Sequence, residues 1–274
     1  MSFSPEIISL LIIVLAASLF VLLERIFPYT KNQRIFREGF WNDLLFYSLA
    51  QSYLLGVLIT WFIHWIDNST GFSRLNIISG LPVWAQVIFF VVTHDLYIYL
   101  IHRWMHNNKY LWRLHEAHHS TPEVDWLSGA RSHSLEILIN QTVEFAPIIL
   151  LGAAPEVALY KGTISAVWGM YIHSNIDVKS GWLQYFINGP EMHRWHHSAI
   201  YQGAGQNFAT KLAIWDWIFG TAYLPKSEKP IRYGLDDETY PINHHYHNQN
   251  IILQFINDFR NYFKQHIIAF RPFD

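Results

Sequence analysis

The chain of 274 residues contains no cysteine, and only 15% of its residues are charged. The first absence excludes disulfide frameworks, thiolate metal sites and cysteine nucleophiles together. The second leaves too little ionic surface for an ordinary cytosolic enzyme, since soluble domains carry roughly 25% charged residues. A hydrophobic content of 51% excludes a disordered chain, and a net charge of −2 leaves no basic field to hold nucleic acid. No lysine or arginine precedes the first apolar run and no small-residue cleavage site follows it, so that run does not read as a signal peptide. Internal repeats, low-complexity tracts and linkers are also lacking.

What is present is a series of apolar runs. Ile7 to Leu23, Leu44 to Ile66 and Val83 to Ile101 are each long enough to be read as spanning helices. Ile137 to Ala154 and Val157 to Ile172 form two further apolar stretches joined at Gly152-Ala-Ala-Pro155, which reads as a tight turn. The pair is expected to be a helical hairpin that dips into or crosses the bilayer. Mean hydropathy is only +0.10, so a sizeable polar part must sit in water. With 12 Trp, 15 Tyr and 19 Phe, the chain suits an aromatic belt at the membrane surface. The expected fold is all-α: a polytopic membrane protein with about three spanning helices, a helical hairpin and a histidine-rich helical cap.

Basic residues orient it. Arg25, Lys31, Arg34 and Arg37 follow the first run, Arg74 alone follows the second, and Arg103, Lys109, Arg113 and Arg131 follow the third. Nine more lie beyond Asn175. Lys and Arg favour the cytoplasmic side, which puts the N-terminus outside and the histidine-rich regions inside. The expected division is 1–84 as N-terminal membrane helices, 85–225 as a catalytic region, and 226–274 as a polar loop with an amphipathic stretch from Ile251 to Ile268.

The 16 histidines carry the chemistry. His102-Arg-Trp-Met-His106 is an H-x3-H. His115-Glu-Ala-His118-His119 is an H-x2-H-H, and His193-Arg-Trp-His196-His197 repeats it; chance places even one such triplet in a chain of this histidine content far less than once. On a helix, positions i, i+3 and i+4 share a face, so each cluster aims its rings at a common point. Neutral imidazole ligates iron, zinc or copper, and a pocket of eight or more could hold two ions. Without metal, so many buried rings would leave polar atoms unpaired at roughly 1–3 kcal/mol each.

His173 falls at the same end of the hairpin and is counted as a ligand; His133 is a possible ligand or a group behind one. Asp95, seven residues before His102, with Tyr99 between them, shares nearly the same helical face and is expected to orient a ligand imidazole. His94 points elsewhere, with its role left open. His64, His244, His245, His247 and His266 lack the spacing and read as surface residues.

These segments resemble the fatty acid hydroxylase/sterol desaturase superfamily. Asp95-Leu-Tyr-Ile-Tyr-Leu-Ile-His102-Arg-Trp-Met-His106 is similar to its first histidine box, Arg113-Leu-His115-Glu-Ala-His118-His119-Ser to its second, and Met192-His193-Arg-Trp-His196-His197-Ser to its third. Arg131-Ser-His133-Ser-Leu-Glu136 and Trp215-Asp216-Trp-Ile-Phe219-Gly220-Thr221 are similar to further elements, so the resemblance covers about residues 85–225. It implies a non-haem di-iron centre that uses O2 to hydroxylate or desaturate a C–H bond of a lipid, in the bacterial inner membrane or endoplasmic reticulum. The ligands it implies are His102, His106, His115, His118, His119, His173, His193, His196 and His197. The short step from His106 to His115 also resembles the alkylglycerol monooxygenase branch, which cleaves ether lipids with a pterin. Where some hydroxylases carry a second histidine four residues after the hairpin one, this chain has Asp177, which joins Asp95 and Tyr99 as a candidate catalytic group.

No flavin, nicotinamide or haem motif is present, so electrons are expected from a cytochrome b5-, ferredoxin- or pterin-type donor. Two other readings stand beside this one. A histidine-rich metal transporter would need ionisable groups through the bilayer, where only His64, His94, Asp95, Glu144 and Lys161 interrupt the runs. A zinc hydrolase could draw Glu116 into the role of base, yet zinc needs only three or four ligands.

Overall fold

A computed structural model describes residues 4–201, 206–225, 228–237, 239–243 and 246–272. His244 and His245 lie outside the described residues. Among those described, the only β-pairing is two isolated bridges, Pro28 with Ile176 and Ser198 with Tyr233. The remainder is helices and loops.

Helix α1 (Pro5–Ile26) starts with Ser4 as cap and Pro5 at the first turn, where a missing N–H costs nothing. A π-helical segment, Asn42–Gln51, runs without a break into α2 (Ser52–Thr70). Its wider turn brings Asp43, Tyr47 and Gln51 to one buried polar stripe. α2 stops at Gly71, whose φ of 69° is the left-handed C-cap that glycine adopts without strain. α3 (Val83–Asn107) carries the first histidine pair. Asn108 then breaks the helix and caps α4 (Lys109–His119), its side chain accepting from the backbone N–H groups of Tyr110 and Leu111 at 2.9 and 3.2 Å.

α5 (Ser134–Leu150) and α6 (Pro155–His173) pack antiparallel through a tight turn. Gly152 sits in that turn at φ 71°, and a Cβ there would lie 2.6 Å from the Ser73 carbonyl oxygen. Only glycine lets the hairpin press against the loop after α2. α7 (Pro190–His196), α8 (Ile214–Ile218) and α9 (Ile251–Ile268) complete the helices.

α1, the combined Asn42–Thr70 helix and α3 are long and apolar enough to cross a membrane. Their outward residues show why. Leu10, Val14, Leu15, Leu19 and Leu22 of α1 are 51–66% exposed. In water that exposure would forgo on the order of 5 kcal/mol, given ~1.5–3 kcal/mol for burying each such side chain. α1 packs on α6, α2 on α5, and α3 on both arms of the hairpin. Val87, Phe90, Ile148 and Val157 form the apolar core at the end away from the histidines.

The histidine end is held by buried ions instead. Arg37 pairs with Asp43 at 2.8 Å and with Asp125 at 2.7 Å, and Arg131 pairs with Asp43 at 2.6 Å. Glu24, near the end of α1, accepts from the backbone N–H groups of Trp126 and Asn175 at 2.8 and 2.7 Å. This carboxylate ties the first helix to the loops on either side of the hairpin.

Candidate metal centre

α3, α4, α6 and α7 deliver nine imidazoles to one interior, where they divide into two groups. His102, His106, His115, His119 and His196 form one; His118, His173, His193 and His197 form the other; within each, the nearest ring nitrogens all lie within 4.8 Å of one another. All are buried except His106, which is half-buried. Helical spacing divides the work within a box: His115 and His119, one turn apart on α4, serve the first group while His118 serves the second. The third box splits likewise, His196 from His193 and His197. The two groups therefore share helices and stand side by side.

Five of the rings are fixed from behind through Nδ1. His102 donates to the Phe208 carbonyl at 2.7 Å, His118 to Arg131 at 3.0 Å, His173 to Gly169 at 2.7 Å and His196 to Gln206 at 2.9 Å. His115 donates to the Glu136 carboxylate at 3.0 Å. A carbonyl or carboxylate partner assigns the proton to Nδ1 and leaves a lone pair on Nε2.

Those lone pairs face one another. The Nε2 atoms of His102 and His115 are 3.0 Å apart, and those of His118 and His173 are 3.3 Å apart. Neither contact can be a hydrogen bond once both protons sit on Nδ1. Two lone pairs at that distance repel unless a cation lies between them. Metal–imidazole bonds of about 2.0–2.1 Å put neighbouring ligand nitrogens about 3 Å apart, which is the spacing seen. His119 completes the test: it is fully buried and neither ring nitrogen has a hydrogen-bond partner. The donor set fits two metal ions of imidazole-binding type.

Electrostatics keep the rings ready. Burial, the largest cause each time, holds the imidazoles of His115, His119, His193, His196 and His197 well below their ordinary value, with neighbouring imidazoles adding to it. His118 is lowered too, with Glu136 opposing. In all six the shift favours the neutral ring, the form that ligates.

The other expected site residues land elsewhere. Asp95 touches no imidazole, contrary to the orienting role expected of it. Its two oxygens accept from the Thr210 hydroxyl, the backbone N–H groups of Lys211 and Leu212, and the Trp215 indole, at 2.8–3.2 Å. Asp216 does the same for the N–H groups of Phe208 and Ala209 at 2.8 and 3.0 Å. Together the two carboxylates pin the strip whose Phe208 carbonyl holds His102. Tyr99 is fully buried, stacked on Phe219 at 5.1 Å, with its hydroxyl 2.9 Å from that of Thr221. Asp177 is exposed, pairs with Lys229 at 3.1 Å and faces neither group.

His133 also stays out. Its Nδ1 accepts from the Leu135 N–H at 3.1 Å, capping α5, and its ring lies 4.6 Å from that of His266. His266 is not a surface residue, as its isolation in the sequence suggested; its Nε2 accepts from the Ser134 N–H at 3.1 Å. His247 lies 3.5 Å from Glu123 near the surface. His94 pairs with Lys161 at 2.8 Å, and Lys161 in turn with Glu144, making a buried ionic trio between α3, α5 and α6. Sequence reasoning noted these ionisable residues singly and missed their meeting. It also missed Gly129, where an added Cβ would sit 2.5 Å from His173 Nδ1.

A cavity of about 220 Å³ opens between α3, α5 and α6. Ile98, Ile101, Met105, Ile137, Trp168 and Ile172 give it an apolar wall. His102 and His115 of one group, and His118, His173 and His193 of the other, line one end of it, and Asn140, Glu144, Ser165 and Lys211 add further polar groups to its wall. Glu116 does not line it.

An all-helical membrane protein whose paired imidazole nests open on a cavity with an apolar wall is thus defined from the residues alone. The comparison with known sequences sharpens this: residues 87–221 match the fatty acid hydroxylase family model, so through that region the chain is similar to that family. It is 33% identical over 144 residues to the ornithine lipid hydroxylase OlsE of Rhizobium tropici, covering 53% of this chain and 44% of that protein. It is 33% identical over 148 residues to alkylglycerol monooxygenase of Danio rerio, covering 54% and 32%. With the sphingolipid C4-hydroxylase of Schizosaccharomyces pombe it shares 32% identity over 146 residues, covering 52% and 48%. The chain thus spans less than half the length of each of these curated relatives. No solved structure matches it.

Proposed function

We propose that the protein is a membrane-bound non-haem di-iron oxygenase that hydroxylates or desaturates a C–H bond of a membrane lipid. The observation that carries this is the pair of imidazole groups, lone pair facing lone pair, at one end of a cavity with an apolar wall. His102, His106, His115, His119 and His196 would hold one ion, and His118, His173, His193 and His197 the other. Iron in that position, supplied with O2 and two electrons, provides the oxidising power that an unactivated C–H bond requires.

This chain's residues do the rest. Carbonyl and carboxylate partners fix the tautomers, and Glu136 behind His115 makes that ring a stronger donor. Asp95 and Asp216 secure the 207–212 strip, with Tyr99 packed beside it. Ile98, Ile101, Met105 and Trp168 exclude water and seat an apolar lipid segment against the centre. Ornithine lipids, alkylglycerols and sphingolipids, named for the relatives, are the substrate classes to screen first. Residues 85–225 are the catalytic region in this reading, with 1–84 as membrane helices and 226–274 as a covering tail. The basic loops support a centre on the cytoplasmic side, within reach of a cytochrome b5-, ferredoxin- or pterin-type donor.

Glu116, the carboxylate that the zinc hydrolase reading used as base, lies off the cavity. Purification in detergent from iron-supplied cells tests the proposal. Two irons per chain, O2 uptake on reduction, and a lipid that gains one oxygen or loses two hydrogens are expected. One zinc per chain, persisting after iron reconstitution, would overturn it.

A further inference from the structure

Helix α9 is built inside out. A helix on a soluble domain packs its apolar stripe inward and shows water its polar face. In α9 the packed face is polar: Asp258, Asn261 and Gln265 are buried. Asp258 accepts from the Asn42 N–H at 3.2 Å; Gln265 accepts from the Tyr47 hydroxyl at 2.7 Å and donates to the Pro241 carbonyl at 2.9 Å. The outward face is Ile252, Phe255, Ile256, Phe259, Phe263 and Ile267, 37–66% exposed. At ~100° per residue these fall on one stripe, and Arg260 and Lys264 follow along a single edge of it.

We propose that α9 lies in the plane of the membrane surface on the histidine side, with this stripe in the acyl region and Arg260 and Lys264 at the phosphate headgroups. Continuity with the spanning helices selects lipid as the occupant. Phe46, in the π-helical start of the second span, packs on Phe255 and Phe259 at 5.9 and 5.3 Å, so the stripe extends that helix's outward apolar side. The C-terminal end of α9 then braces α4 and α5. His266 accepts from the N–H of Ser134 at the start of α5, and Arg113 of α4 donates to the Ile268 carbonyl at 3.2 Å. The inference rests on reading the three long helices as membrane spans.

The absence of native cysteine makes the test direct. Single variants Phe259→Cys, Phe263→Cys, Leu15→Cys and Asp236→Cys of the full chain are spin-labelled in nanodiscs of phosphatidylcholine and phosphatidylglycerol. Relaxation by O2 is compared with relaxation by a water-soluble nickel chelate. Labels at 259 and 263 should favour O2 several-fold, as Leu15→Cys on α1 does, while Asp236→Cys favours nickel. If 259 and 263 behave as 236 does while 15 reports lipid, the membrane reading stands and the α9 proposal falls. If 15 also reports water, both fall. Spin–spin broadening that disappears on dilution with unlabelled protein would make the stripe an interface between copies and likewise overturn the proposal.

Discussion

Replacing Gly129 with alanine adds one methyl group beside the second imidazole group. Its Cβ would lie 2.5 Å from His173 Nδ1, 2.9 Å from Cε1 and 3.0 Å from Cγ, against an ordinary contact of 3.4 Å or more. The ring must retreat by about 0.9 Å, or the turn must. The turn is held: Asp125 accepts from the N–H groups of Leu127 and Ser128 at 3.1 and 3.0 Å and is itself paired with Arg37. The ring therefore gives way, breaking its 2.7 Å bond to the Gly169 carbonyl. Metal–ligand distances tolerate only about ±0.2 Å, so a displacement several times larger removes His173 as a ligand. Overpacking costs the fold about 1–3 kcal/mol, too little to unfold a stable membrane domain. Elemental analysis of folded Gly129→Ala should show the iron content fall from about two per chain towards one. A full complement of two irons would refute the assignment of His173 to the second group.

Three further outcomes follow from the same geometry. Glu136→Gln puts an amide behind His115, weakening its tautomer control, and should lower metal affinity about 10–100-fold in a chelator competition. Lys161→Met leaves Glu144 buried without its cation and should destabilise the protein by about 3–5 kcal/mol, seen as a lower Tm; adding Glu144→Gln should restore much of it. The six buried histidines of α4 and the α7 region have lowered folded values, so the unfolded chain binds protons first as pH falls. In metal-free protein the contribution of these histidines is therefore fully present above the unfolded histidine value of about 6.5 and is lost progressively below it. Glu136 and Asp258, which burial raises to about 7, offset part of that loss, so Tm should fall between pH 7 and 5 and fall further in Glu136→Gln; a Tm that rises over that range would contradict this.

The sequence declared the parts of this protein that depend on period and composition. Long apolar runs named the three membrane-length helices, and i, i+3, i+4 spacing gathered imidazoles because a single helix sets that geometry. What depends on contact between distant segments was hidden. Asp95 shares a face with His102, as its seven-residue step implies, but the strip that arrives opposite it comes from residue 210 onward. His94, Glu144 and Lys161 meet only once the hairpin has closed on α3. His266 looked isolated because its partners, Ser134 and His133, lie on another helix. Asp177 stands near His173 in sequence, yet the chain turns outward between them to pair Pro28 with Ile176.

Four of the five imidazoles fixed through Nδ1 are held by main-chain carbonyls, at Arg131, Gly169, Gln206 and Phe208. An alanine scan therefore passes over the groups that directly hold these four rings, because truncating a side chain leaves its carbonyl in place; Asp95 and Asp216, which pin the strip behind His102, would report on it indirectly. Only His115, held by Glu136, exposes its direct support to that kind of mutagenesis. Apart from Gly129, where an added methyl presses on His173 directly, control of the centre by engineering belongs accordingly to changes that move backbone, such as insertions in the 128–131 turn or the 206–212 strip.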